Sequence, residues 1–175
     1  MSSSPRPRFA SVDASFLISL AAGDASCEDA VDFLQRLRLF IFVTPSTCQA
    51  LKDVALESEN SEIKRLANEA LSSLSVWGFW IDGLSDVNTF IANEAAKYIQ
   101  EALNLSVSQC RVITESSINN AVIFLSDDPR FTDIDHNTLG LLLLDRDLSG
   151  FPIFDPTTFS SVAQEVINRP AHHSS

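Results

Sequence analysis

The sequence of 175 residues predicts an α/β sandwich, a parallel sheet covered by helices on both faces. Two observations carry this. Five short apolar runs, at 8–13, 40–44, 78–82, 121–125 and 151–154, alternate with segments of helical period. The composition is that of one ordinary globular domain, 45% apolar and 20% charged, long enough to bury a core.

The first strand, "RFASVD" at 8–13, closes on Asp13, and "ASFLISLAAGD" continues as a helix stopped by Gly23. Ser26 resembles the N-cap of a second helix, with Ala30, Phe33, Leu34 and Leu37 at i, i+3, i+4 and i+7. "FIFVT" at 40–44 is β-branched and aromatic, too short for a helix, and reads as the second strand. Thr44-Pro45 opens a helix that places Cys48, Leu51 and Ala55 on one face. "SEIKRLANEALSSL" carries Ile63, Leu66, Ala67, Ala70, Leu71 and Leu74 on one stripe, an amphipathic helix.

"GFWID" at 78–82 is a weaker third strand, and Trp77 and Trp80 ("WGFW") at its start read as core or edge packing rather than a base-stacking platform. Ser85 opens a helix expected to face Ile91, Ala95, Tyr98, Ala102 and Leu103 inward. A helix over 108–118 ends in Asn119-Asn120, the fourth strand follows at 121–125, and a helix near 136–147 precedes the fifth strand, "FPIF". The last helix runs from 157 to 167, so one domain spans 8–168 between flexible tails at 1–7 and 169–175.

The net charge of −11 argues against a broad basic patch for nucleic acid; a phosphate backbone would need divalent cations or a local basic rim here. "LGLLLL" at 139–144 is too short to span a bilayer, so no membrane partner is expected. Cys27, Cys48 and Cys110 are odd in number and widely spaced, which reads as reduced thiols in a cytoplasmic protein. His136, His172 and His173 form no recognisable site.

In "IFLSDDPRF" the fourth strand ends in Ser126 and two adjacent aspartates. Ligands of open parallel sheets bind outside the carboxyl ends of the strands. With a strand order of 3-2-1-4-5, Asp13, Asp127 and Asp128 converge there, and clustered carboxylate oxygens are what Mg²⁺ or Mn²⁺ requires. The competing explanation makes Asp13 a helix cap and 126–128 a turn. Three crowded carboxylates without a metal or basic neighbour should also raise the pKa of at least one.

"SVDASFLISLAAGD", "VTPSTCQAL", "QCRVITESSINNAVIFLSDD" and "IFDPTTF" resemble, in that order, the blocks of PIN domains, including toxin ribonucleases of bacterial toxin–antitoxin modules. The resemblance covers most of 8–167, with extra helical length between about 58 and 105. It implies a three-layer α/β/α sandwich with a five-stranded parallel sheet in the order 3-2-1-4-5. It also implies metal-dependent RNA hydrolysis, in which four acids hold Mg²⁺ or Mn²⁺ that activates water.

Residue by residue, the first acid matches Asp13 and the fourth matches Asp128, with Ser126 as its hydroxyl and Asp127 as an additional acid. The second falls on Ala50 and the third on Gln109, or on Cys110 if the register slips by one. Glu115 is a remote substitute, and Asp53 and Glu57 lie beyond Ala50. The resemblance therefore implies descent from an endoribonuclease with weak metal binding and weak or absent activity. Two alternatives stand beside it: a working nuclease using Asp13, Asp127 and Asp128, and a protein-interaction scaffold. RNA, an antitoxin-like protein and a second copy of the chain are the partners implied.

Overall fold

The computed structural model describes residues 6–81 and 83–170. Four strands form one sheet in the order β2-β1-β3-β4: β1 (Arg8–Val12), β2 (Leu39–Phe42), β3 (Ala121–Leu125) and β4 (Ile153–Phe154). All pairings are parallel, with Ala10 opposite Ile41 and Val12 opposite Leu125. The central place of β1 between β2 and β3 is the arrangement expected of the first, second and fourth apolar runs.

The described part of the run at 78–82, residues 78–81, lies on the outer side of β2, where the third strand was expected, but it makes only an isolated parallel bridge between Phe42 and Trp80. Val43 N–H donates to Trp80 O at 2.8 Å and Trp80 N–H to Ile41 O at 2.9 Å. Gly78 enters this stretch at φ +76°, a left-handed turn that bends the chain out of strand geometry just before the bridge. Asp82 lies outside the described residues. At the other edge β4 shrinks to two residues because Pro152 has no N–H to give; its carbonyl still accepts from Phe124 N–H at 3.0 Å.

Helices cover both faces. On one side α1 (Ala14–Ala21), α2 (Ala25–Arg36), α3 (Pro45–Glu57), α4 (Ser61–Ser73) and α9 (Pro156–Asn168) enclose a core containing Val12, Val43, Leu51, Ala67, Leu125 and Phe159. On the other, α5 (Asp86–Gln100), α6 (Val107–Ile118), α7 (Pro129–Thr132) and α8 (His136–Leu144) pack around Ile99, Ile113, Phe124, Leu139 and Phe151.

Local chemistry sets most helix ends, with three corrections to the sequence reading. The N-cap of α2 is Asp24 rather than Ser26: its carboxylate accepts both the Ser26 and Cys27 N–H groups, which a serine hydroxyl two residues later cannot reach. The inward face of α5 is Ala92, Ala95, Ala96 and Ile99, while Ile91 and Ala102 are exposed. Small residues face α6 because the two helices pack closely, and the larger Ile91 is left on the rim. The four-residue α7, capped by Asp128, was not anticipated. Trp80 packs edge-on against Phe9 at 5.5 Å and remains half-exposed at the sheet edge. Cys27 and Cys110 are buried free thiols and Cys48 is half-buried.

Candidate functional site

Asp13 is the first residue beyond β1, and Ser126 to Asp128 are the first beyond β3. Because β1 and β3 are parallel neighbours in register at Val12 and Leu125, these residues meet at one end of the sheet. A crevice of about 260 Å³ opens there, lined by Asp13, Ser15, Thr47, Ala50, Gln109, Asp128 and Arg130, with apolar walls from Ile18, Val54, Val112 and Phe131. The four sequence positions singled out as Asp13, Ala50, Gln109 and Asp128 thus face one space. Cys110 is buried in the core instead, so Gln109 lines the crevice and its neighbour does not.

The two acids of the crevice are both held by protein donors. Asp13 is only 4% exposed and caps α1, accepting Phe16 N–H at 3.0 Å. The Ser15 hydroxyl donates to its carboxylate at 2.9 Å, and buried Ser126 donates at 2.8 Å. Burial pushes the Asp13 carboxyl up to about 6; the bonds from Phe16, Ser126 and Ser15 oppose that rise, and the charge of Asp128 adds a smaller push. The Ser126 oxygen also accepts Asp128 N–H at 3.0 Å, linking the two carboxylates through one hydroxyl.

Asp128 caps α7 and is gripped by Arg130, whose backbone N–H donates at 2.9 Å and whose guanidinium donates to both carboxylate oxygens at 3.0–3.2 Å. Partial burial would raise its pKa, but the Arg130 hydrogen bonds and charge outweigh it and hold the carboxyl below its ordinary value. Asp127 does not join them. It is exposed and accepts from Ser19 on α1 at 2.8 Å, while its backbone N–H donates to Ser15 Oγ at 3.1 Å.

Gln109 lines the crevice while its Oε1 accepts Ser106 N–H at 2.9 Å, closing a capping box at the start of α6. Glu115 lies outside the crevice lining. Its buried carboxylate accepts the backbone N–H of Ser46 at 2.8 Å and the Ser46 hydroxyl at 2.6 Å, at the amino end of α3. Exposed Asp53 accepts from Gln49 at 2.9 Å, and Glu57 is exposed at the far end of α3. His136 begins α8; His172 and His173 lie outside the described residues.

No family model matches the sequence, and no curated protein matches it significantly. Solved structures do share its fold. A chain of VapBC2 from Rickettsia felis, crystallised bound to a DNA fragment from its promoter, superposes with a TM-score of 0.58 at 12% identity, covering 84% of this chain and 98% of its own. A chain of FitAcB from Neisseria gonorrhoeae does so with a TM-score of 0.51 at 14% identity, covering 85% and 98%. This is a PIN-like fold.

In the PIN-like chain the crevice holds a poor donor set for Mg²⁺ or Mn²⁺. Ala50 has no donor atom, and the Gln109 carbonyl is neutral and already accepts a hydrogen bond. Asp13 and Asp128 accept protein donors on both oxygens. Among the described residues, no group of three or more His, Cys, Asp or Glu side chains is placed to hold a metal. Hard cations rely on several free carboxylates, and these residues do not fit one. Sequence reasoning missed Ser15, Ser46 and Arg130. The signal for Arg130 lay in "DDPRF", where proline starts a turn and the next residue is the one whose N–H and side chain both reach back to the cap. Among the described residues no helix is long and apolar enough to cross a membrane.

Proposed function

We propose that this PIN-like protein descends from Mg²⁺- or Mn²⁺-dependent endoribonucleases and has weak hydrolytic activity or none. One observation carries the reading. The crevice lined by Asp13 and Asp128 is also lined by Ala50 and Gln109, the two positions at which the family resemblance calls for acids, and this supports a site short of two carboxylates. A hydrolytic metal must activate water and stabilise a leaving oxygen, and both tasks need an ion held by several carboxylates.

The test is incubation of the protein with labelled single-stranded RNA in Mg²⁺ and in Mn²⁺, together with calorimetry of each metal. Intact RNA and no metal binding tighter than roughly millimolar, the weak end for hard cations, are expected. Metal-dependent cleavage abolished by Asp13→Ala or Asp128→Ala would favour the alternative, a working metal-dependent ribonuclease using Asp13, Asp127 and Asp128.

A second reading, an interaction scaffold, is favoured by α5. Val87 and Phe90 are 69% and 66% exposed on the outer side of a helix whose Ala92, Ala95, Ala96 and Ile99 face the core. A protein partner of antitoxin type, or a second copy of the chain, would cover that face. RNA remains the substrate class of the active alternative alone.

A further inference from the structure

Arg130 is the cation nearest the carboxylates of the crevice that the sequence reading left out. It is the second residue of α7, and Pro129 before it fixes the first turn, so its N–H and its guanidinium approach Asp128 together. The Nε lies 3.2 Å from each Asp128 oxygen and a terminal nitrogen 3.0 Å from Oδ2, a forked grip. Asp128 in turn reaches Asp13 through Ser126. The crevice therefore has a positive charge fixed on one of its two remaining acids.

We infer that the Arg130 guanidinium is the resident cation of this crevice, standing in electrostatically for a divalent metal and excluding one. The inference rests on reading the crevice as a converted metal site, and it goes further: beyond the two lost acids, the Arg130 fork on Asp128 is itself an obstacle to a divalent ion. A divalent ion between Asp13 and Asp128 would have to displace the fork from Asp128 or sit beside a like charge. Restoring acids at 50 and 109 leaves that obstacle in place. Arg130 is a positioning residue here, acting through Asp128.

The experiment measures Mn²⁺ binding by calorimetry and by the loss of free-ion paramagnetic resonance signal. It compares the full-length Ala50→Glu/Gln109→Asp variant with the same protein carrying, in addition, Arg130→Gln or Arg130→Lys. Thermal melts establish that each variant is folded; Arg130→Lys keeps the charge without the fork and gives a second folded comparison should Arg130→Gln melt early. Affinity should rise in the order Arg, Lys, Gln at position 130, with at least a tenfold gain for Gln. The gain should vanish with Asp128→Ala and should shrink as salt rises, because the Arg130 side chain is 68% exposed and its charge is screened. A role confined to stabilising α7 would not produce that charge order or that salt dependence.

Equal affinity with Arg or Gln at 130, whether both variants bind Mn²⁺ or neither does, would overturn the inference. Tight Mn²⁺ binding by the unmodified protein would instead overturn the converted-site reading on which it rests.

Discussion

Asp13 shows how one residue's place in the chain and its surroundings pull in different directions. Three donors favour its charged form, yet burial dominates and lifts its pKa to about 6, above the 3.8 of an ordinary aspartate. The folded state thus binds this proton more tightly than the unfolded one. Its stabilising effect is fully present below pH 3.8 and is lost as pH rises through about 6. Urea unfolding between pH 4 and 7 should show stability declining toward neutral pH, by about 3 kcal/mol at most for a two-unit shift. Asp13→Asn should flatten that slope. Asp24, Glu62, Asp128, Asp135 and Asp155 are all held below their ordinary values, so their contributions are lost toward acid pH, below about 5, with a slope opposite in sign to that of Asp13. A slope that persists in Asp13→Asn would assign it elsewhere. The sequence reading foresaw a raised carboxyl but attributed it to crowding among unpartnered acids. The structure makes burial the main cause and gives Asp128 a basic neighbour.

Glu115 ties two elements together. Its carboxylate takes the Ser46 N–H and hydroxyl at the positive end of α3, so a residue of α6 caps α3 from 69 positions further along the chain. Those helices carry Gln109 and Ala50, and the tie helps set the width of the crevice between them. Glu115→Ala leaves the Ser46 N–H without its acceptor and should cost about 1–3 kcal/mol in urea unfolding, with Glu115→Gln costing less. An undiminished midpoint would show that water replaces the carboxylate freely. At the sheet edge, the bridge at Trp80 is held by two backbone bonds rather than a ladder. Amide exchange at Trp80 should accordingly be faster than at Phe124, which pairs inside the sheet; equal protection would mean that the edge opens only with the whole fold.

For the whole molecule, the sheet order brings together ends of strands separated by more than a hundred residues, in a chain that is acidic as a whole. The net charge of −11 limits what can approach without a cation, while the exposed apolar residues of α5 offer contact independent of charge. Phe90→Ser should leave unfolding stability within about 0.5 kcal/mol, as surface changes usually do. It should weaken any self-association seen by sedimentation velocity. Unchanged association would move the interface away from α5.

The sequence by itself determined the alternation of strands and helices, the parallel α/β class and the placing of Asp13 and Asp128 at strand ends. Periodicity, caps and short β-branched runs are local, and a residue's position at the end of a strand follows from counting along the chain. It also aligned Ala50 and Gln109 with the acids the resemblance required. Only the tertiary structure decided that Asp127 turns to Ser19, that Arg130 grips Asp128 and that Glu115 caps α3. It likewise reduced the expected third strand to a bridge. Each of those outcomes depends on which side chains meet in space and on how much water the meeting excludes, and periodicity along one chain encodes neither.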